Sequence, residues 1–156
     1  MKLTDDIKHF IASPVMIIAG TRDADNQPAI GRGVGARISY EDRVEIVFSS
    51  WQWPETAANI TSNGQVAITF ARPADYVSYQ LKGDATLRAA EPEDLALAER
   101  YCTATTAMFA HLGVEPDLVR PWLEYRDAVV ANVIVRELYV QTPGPKAGTT
   151  IGAETR

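Results

Sequence analysis

Arg32, Arg37, Ser49, Ser50 and Thr56 lie close in sequence to a helix start, and together they could hold a phosphate. Pro28 to Ile38 reads as a strand. Strict alternation puts Arg32, Val34, Ala36 and Ile38 on one face and Gly33, Gly35 and Arg37 on the other. The next strand, Arg43 to Phe48, runs into Ser49-Ser50 and Trp51-Gln52-Trp53, and a helix begins at Pro54. A strand entering a helix start presents free backbone N–H groups and the positive end of the helix dipole. Ser49, Ser50 and Thr56 add hydroxyl donors, and Arg32 and Arg37 add charge. The same residues also suit plainer work. Serines and threonines at a helix start commonly cap it, strand arginines commonly face water, and Trp51 and Trp53 suit packing or an interface.

Other familiar constellations are missing. Gly31-Arg32-Gly33-Val34-Gly35 has alternate glycines but sits inside a strand, unlike a dinucleotide-binding turn. His9 and His111 stand alone on expected helices, so no metal site is expected. Cys102 is the only cysteine and falls on an apolar helical stripe, where a buried, inert thiol is expected. Glu91, Glu93 and Asp94 cluster at a helix start, where carboxylates favour the dipole. No catalytic acid, base or nucleophile can be named.

The elements that must position these residues follow from local pattern. Thr4-Asp5-Asp6-Ile7 reads as a capped helix start, with an end before Pro14. Strands are expected at 15–21, 28–38, 43–48, 65–71, 76–88 and 128–140, the fifth bent at Gly83. Tyr40-Glu41-Asp42 forms the turn before the third strand. Pro54 to Ser62 is a short helix closed by Gly64. A long helix opens at Glu91-Pro92-Glu93-Asp94, with Leu95, Ala98, Cys102, Thr105, Phe109 and Leu112 at helical spacing and Gly113 as its cap. Pro116 to Tyr125 is a short helical connection. Six strands in so small a domain need a closed or nearly closed sheet to hide their edges, so a small barrel with helices outside is expected.

The 156 residues fit one domain, 46% apolar and 22% charged. A net charge of −5 argues against nucleic acid or an anionic membrane as partner. No apolar run approaches the ~18 residues that cross a bilayer, and the acidic start lacks the form of a signal peptide. With a single cysteine, these features fit the cytoplasm.

Order of elements and local motifs together resemble the flavin-binding split β-barrels related to pyridoxamine phosphate oxidase, from about Val15 to Tyr139. The markers are Ala24-Asp25-Asn26-Gln27-Pro28, Arg32 with Arg37, Val47-Phe48-Ser49-Ser50, Thr56-Ala57-Ala58-Asn59-Ile60 leading to Asn63-Gly64, and Tyr79 to Ala85. The resemblance implies a mainly β (α+β) fold: a six-stranded antiparallel split β-barrel with a long helix in the C-terminal half and short flanking helices. Residues 1–141 would form this FMN-binding domain, and 142–156 a Pro/Gly/Thr-rich tail, partly ordered. It implies a homodimer with FMN at its interface. The phosphate would fall to Arg32, Arg37, Ser49, Ser50 and Thr56. The isoalloxazine would lie along Gly33, Val34 and Gly35, and Trp51, Trp53 or Trp122 would wall the pocket.

Two departures matter. The family often carries a basic residue at the start of the short helix, where this chain has Glu55-Thr56. Arg136-Glu137-Leu138-Tyr139 does not match the C-terminal substrate pattern of true pyridoxamine phosphate oxidases, so that activity is not expected. The resemblance therefore implies an FMN-dependent oxidoreductase of unknown small-molecule substrate. The alternative is a non-catalytic dimeric binding protein for flavin, haem or another planar ligand.

Overall fold

A computed structural model describes residues 1–40 and 43–152. The expected turn at Tyr40-Glu41-Asp42 thus lies partly outside the described residues, as does the end of the tail. Six strands form a closed antiparallel barrel: β1 Met16–Arg22, β2 Pro28–Ile38, β3 Val44–Ser49, β4 Gln65–Ala71, β5 Ser78–Ala89 and β6 Ala128–Val140, in the spatial order β1-β2-β3-β6-β5-β4. The helices are α1 Asp5–Ala12, α2 Pro54–Asn63, α3 Pro92–His111 and α4 Pro116–Val119, the last followed by a 3-10 turn, Arg120–Trp122. Among the described residues no helix is long and apolar enough to cross a membrane.

Short turns set the register of the hairpins. Between β1 and β2 the Asp23 carboxylate accepts the N–H groups of Asp25 and Gln27, while Asn26 takes φ 60°. The pairing that closes the barrel is remote in sequence: β6 lies between β3 and β5. Apolar side chains from all the strands, among them Ile17, Val34, Ile46, Ile68, Phe70, Leu81 and Leu138, form one buried cluster. Burying each large side chain of this kind is worth roughly 1.5–3 kcal/mol.

The helices are placed by specific contacts. Thr4 occupies the N-cap of α1, yet its hydroxyl makes no capping bond. Asn59 of α2 donates to Thr21 Oγ1 and Asn63 donates to the Arg22 carbonyl, pinning α2 to β1. Gly64 ends α2 at φ 70°. The buried face of α3 differs from the expected stripe. Asp94, Ala98, Tyr101, Thr105 and Phe109 are buried, whereas Leu95 and Leu112 are exposed and Cys102 is half-buried. The helix is rotated toward Tyr101, whose hydroxyl donates to the Val15 carbonyl at 2.5 Å.

Strict alternation on β2 fails for a similar local reason. Gly33 pairs with Phe48 and Ala36 with Ile46, so β2 carries one extra residue there. The bulge resets the faces, and Arg32 and Arg37 both meet residues of the α3 side. A second register shift falls between Lys82 and Gly83 on the long β5–β6 ladder, where a bend is expected. Beyond β6 the chain doubles back: Gly148 N–H donates to the Val140 carbonyl and Ile151 N–H to the Leu138 carbonyl.

Candidate functional site

Sequence places the anion ligands at the start of α2 and on β2, and the structure sorts them into free and committed groups. At the end of β3, Ser49 is fully buried; its hydroxyl donates to the Arg126 carbonyl at 2.7 Å and accepts the Gln52 N–H at 3.0 Å. The Ser50 hydroxyl donates to the Asp127 carbonyl at 2.7 Å. Both serines therefore staple the β3–α2 turn to the entry of β6. Trp51 is exposed, with the Arg126 guanidinium 4.7 Å from its ring centroid. Trp53 packs half-buried against the core instead of joining it.

The start of α2 is open to an anion. No side chain caps it, and Pro54 sits in its first turn. The N–H groups of Glu55 and Thr56 have no intrahelical acceptor by position. Three buried polar atoms there lack hydrogen-bond partners: Gln52 Oε1, Trp53 Nε1 and Thr56 Oγ1. Thr56 lies against Gly31, where an added Cβ would stand 2.7 Å from Thr56 Oγ1. Glu55 is exposed.

Arg32 is the free cation of the site. It is half-buried and forms no hydrogen bond or ion pair with a described residue. Its guanidinium lies 4.7 Å from the centroid of the Trp122 ring. Burial pushes its pKa down, against a small opposing effect of Tyr101, and the group remains charged. A cavity of about 10 Å³ separates it from Tyr101, Thr105 and Phe109, room for a water at most.

Arg37 is in the opposite condition. Its Nε donates to Glu45 at 2.7 Å and a terminal nitrogen donates to Asp94 at 2.7 Å. Arg88 donates to the same Asp94 at 2.6 Å and reaches Glu45 at 3.5 Å. Burial lowers the Arg37 pKa, but Glu45, Asp94 and Glu93 outweigh it and the net shift is upward. The four side chains tie α3 to β2, β3 and β5. Arg32 and Arg37 are thus not brought together. They meet α3 near Tyr101 and at Asp94, seven residues or roughly 10 Å apart along the helix axis. Sequence reasoning missed Arg37's partners. One signal was available: a hairpin pairing Ile38 with Val44 places Arg37 opposite Glu45.

The intervening backbone is covered. A Cβ at Gly33 would meet methyl carbons of Ile17 and Ile46 at 2.7 and 2.8 Å, and Val34 is fully buried. Gly35, at φ 157°, lies beneath α3, with Leu97 Cγ 3.1 Å from the position of a Cβ. Arg32, lying over Trp122, and the uncapped start of α2 each present donors of the kind that suit a phosphate, and the Gln52–Pro121 hydrogen bond links their surroundings. With α3 seated on Gly35, the residues present leave no gap over Gly33–Gly35 for a flat ring. A groove of about 440 Å³ crosses the outer faces of β1, β4, β5 and β6, but Arg22 is engaged with Gln65 and Arg136 with Asp84.

Comparison with known proteins places this architecture. No curated protein matches the sequence. A solved F420 reductase superposes with a TM-score of 0.58 at 15% identity, over 87% of this chain and 98% of its own. HupZ from Group A Streptococcus gives 0.53 at 19% identity, over 94% and 100%. A pyridoxamine 5'-phosphate oxidase-related, FMN-binding protein from Nostoc punctiforme gives 0.52 at 13% identity, over 94% and 89%. At these identities the likeness shows the fold. The family model described as pyridoxamine 5'-phosphate oxidase matches residues 3–133, most of the chain. With the six-stranded barrel in place, that match makes the chain a member of the pyridoxamine 5'-phosphate oxidase family.

Proposed function

We propose that the chain is a cytoplasmic FMN-dependent oxidoreductase acting on a small-molecule substrate, with the FMN phosphate held by Arg32, the N–H groups at the start of α2 and the Thr56 hydroxyl. The observation that carries this reading is Arg32, a half-buried guanidinium with no carboxylate partner among the described residues, lying over Trp122, whose 3-10 turn is tied through Gln52 to the uncapped start of α2. Charge-assisted hydrogen bonds to such a group are worth roughly 1.5–3 kcal/mol. Two structural relatives, an F420 reductase and an FMN-binding protein, support a flavin-type ligand. A bound flavin supplies the hydride or electron transfer, and the protein supplies position and charge. Ser49, Ser50, Trp51 and Arg37 shape the surroundings in this reading and do not touch the phosphate.

A second reading is favoured by the seat of α3 on Gly35 and by Glu55 in the first turn of α2. It is a dimeric binding protein that keeps the barrel and holds a planar ligand such as flavin or haem without redox turnover. Titration with FMN, followed by flavin fluorescence, tests the site, and turnover of the bound flavin with an added electron donor separates the two readings. Wild type should bind, Arg32→Ala should weaken binding about ten- to a hundredfold, and Arg37→Ala should leave affinity within about threefold, since Arg37 is engaged elsewhere. Absence of FMN binding by wild type removes the oxidoreductase reading in favour of the second.

A further inference from the structure

We infer that Trp122 is a positioning residue of the anion site, holding the Arg32 guanidinium by its face and so keeping its N–H edges free for the ligand. The inference rests on the reading of Arg32 as the phosphate ligand.

The two β2 arginines supply the contrast. Arg37 is fixed by carboxylates that accept from the in-plane N–H groups and cancel its charge. Arg32 is fixed by the Trp122 ring, 4.7 Å from its central carbon and within cation–π range. A ring orients a guanidinium without neutralising it and without occupying its hydrogen-bonding edge, which is the edge a phosphate takes in a bidentate pair. An acid in the same place would orient Arg32 equally well and compete with the anion.

Trp122 is itself held. Phe109 of α3 meets it edge-on, with ring centroids 6.0 Å apart. Val119, fully buried, anchors α4 just ahead of it. The Gln52 side chain donates to the Pro121 carbonyl at 2.7 Å, so the 3-10 turn is tied to the β3–α2 turn that opens α2. One hydrogen bond and one stacked pair thus relate the charge on β2 to the helix start.

The experiment is a double-mutant cycle on the full chain, with FMN as the probe and calorimetry as the readout. Trp122→Leu should weaken binding about three- to tenfold, and Trp122→Phe, which keeps a ring, distinctly less. In an Arg32→Ala background, Trp122→Leu should produce no further loss. Equal loss from Trp122→Leu in both backgrounds, or a loss from Trp122→Phe as large as from Trp122→Leu, overturns the assignment while leaving the anion site standing. If wild type binds no FMN, the reading of the site falls and this assignment falls with it.

Discussion

At the scale of single residues, what surrounds a charge decides whether it serves the fold or a ligand. Asp94 is the clearest structural charge. It is fully buried, accepts from Arg37 and Arg88, and takes the Glu91 N–H in a capping box at the start of α3. The Arg88 guanidinium, opposed by burial and helped by the Glu91 N–H and Arg37, holds its carboxyl below the usual carboxylate range. A depressed carboxyl stabilises the fold fully above its unfolded pKa of about 3.9, and that contribution fades as pH falls through the lower folded value. Asp94→Asn should therefore lower stability by roughly 3 kcal/mol at pH 7, the low end for breaking a buried pair, because both guanidiniums still reach water. Urea melts should also show a shallower loss for the variant than for wild type on acidification below about pH 4. A melt like that of wild type at pH 7 would speak against the network as an anchor of α3. Cys102 makes a second case. It is half-buried, and its thiol donates to the Leu123 carbonyl. Burial and Glu124 push its pKa up to about 11. At pH 8 a thiol reagent should label it at least about a hundredfold more slowly than a free thiol of pKa 8.5. Labelling at the free-thiol rate would contradict this placement.

At the scale of elements, backbone irregularities determine where helices and strands meet. The bulge on β2 brings Arg32 and Arg37 to the α3 side, and Gly35 lets α3 approach the strand. The β5–β6 bulge is equally constrained: a Cβ on Gly83 would stand 2.2 Å from the Ile134 carbonyl oxygen, a backbone atom with little freedom to move. Gly83→Ala should cost about 1–3 kcal/mol in urea unfolding, as overpacking does, and an unchanged midpoint would mean that the bulge relaxes freely. These irregularities also mark how far the sequence could be read. The runs Val44-Ile46-Phe48 and Val66-Ile68-Phe70 carry period two because one side faces the core, and both are strands. Pro54 and Gly64 bracket α2 because one needs no N–H and the other adopts a left-handed backbone. A bulge has no such local signature, so the alternation read through Gly33–Gly35 breaks down. Val47 and Glu45 are buried although they lie on the outer face of β3, because the burial comes from elsewhere in the chain. The stripe of α3 was misplaced by a neighbouring position because Tyr101 is both apolar and able to bond a distant carbonyl. Of the proposed site, Arg32 and the α2 start are legible from residue type. The Trp122 contact and the engagement of Arg37 depend on contacts remote in sequence.

At the scale of the molecule, several exposed apolar side chains lie near the residues of the proposed anion site along the chain. Ile30 is 65% exposed and lies two residues before Arg32 on β2; Leu118 is 64% exposed and one helical turn before Trp122; Trp51 is 52% exposed and precedes Gln52, which bonds the same 3-10 turn. Scattered exposed apolar residues need no explanation, but a group bordering one site suggests a contact surface. We propose that this face is buried in a homodimer, which would also exclude water from Arg32 and strengthen its attraction for an anion. Replacing Ile30 and Leu118 together by glutamate should keep the barrel, since neither side chain belongs to the buried cluster, while introducing like charges across a two-fold contact. Sedimentation at micromolar concentration should give a dimer for wild type and a monomer for the double variant, with an unchanged far-ultraviolet spectrum. If the dimer is the species that binds FMN, affinity should fall with dissociation, and dilution of wild type below its dimer constant should produce the same fall. A wild-type monomer at micromolar concentration would remove the interface, and a dimer that survives both glutamates would place the interface on another face.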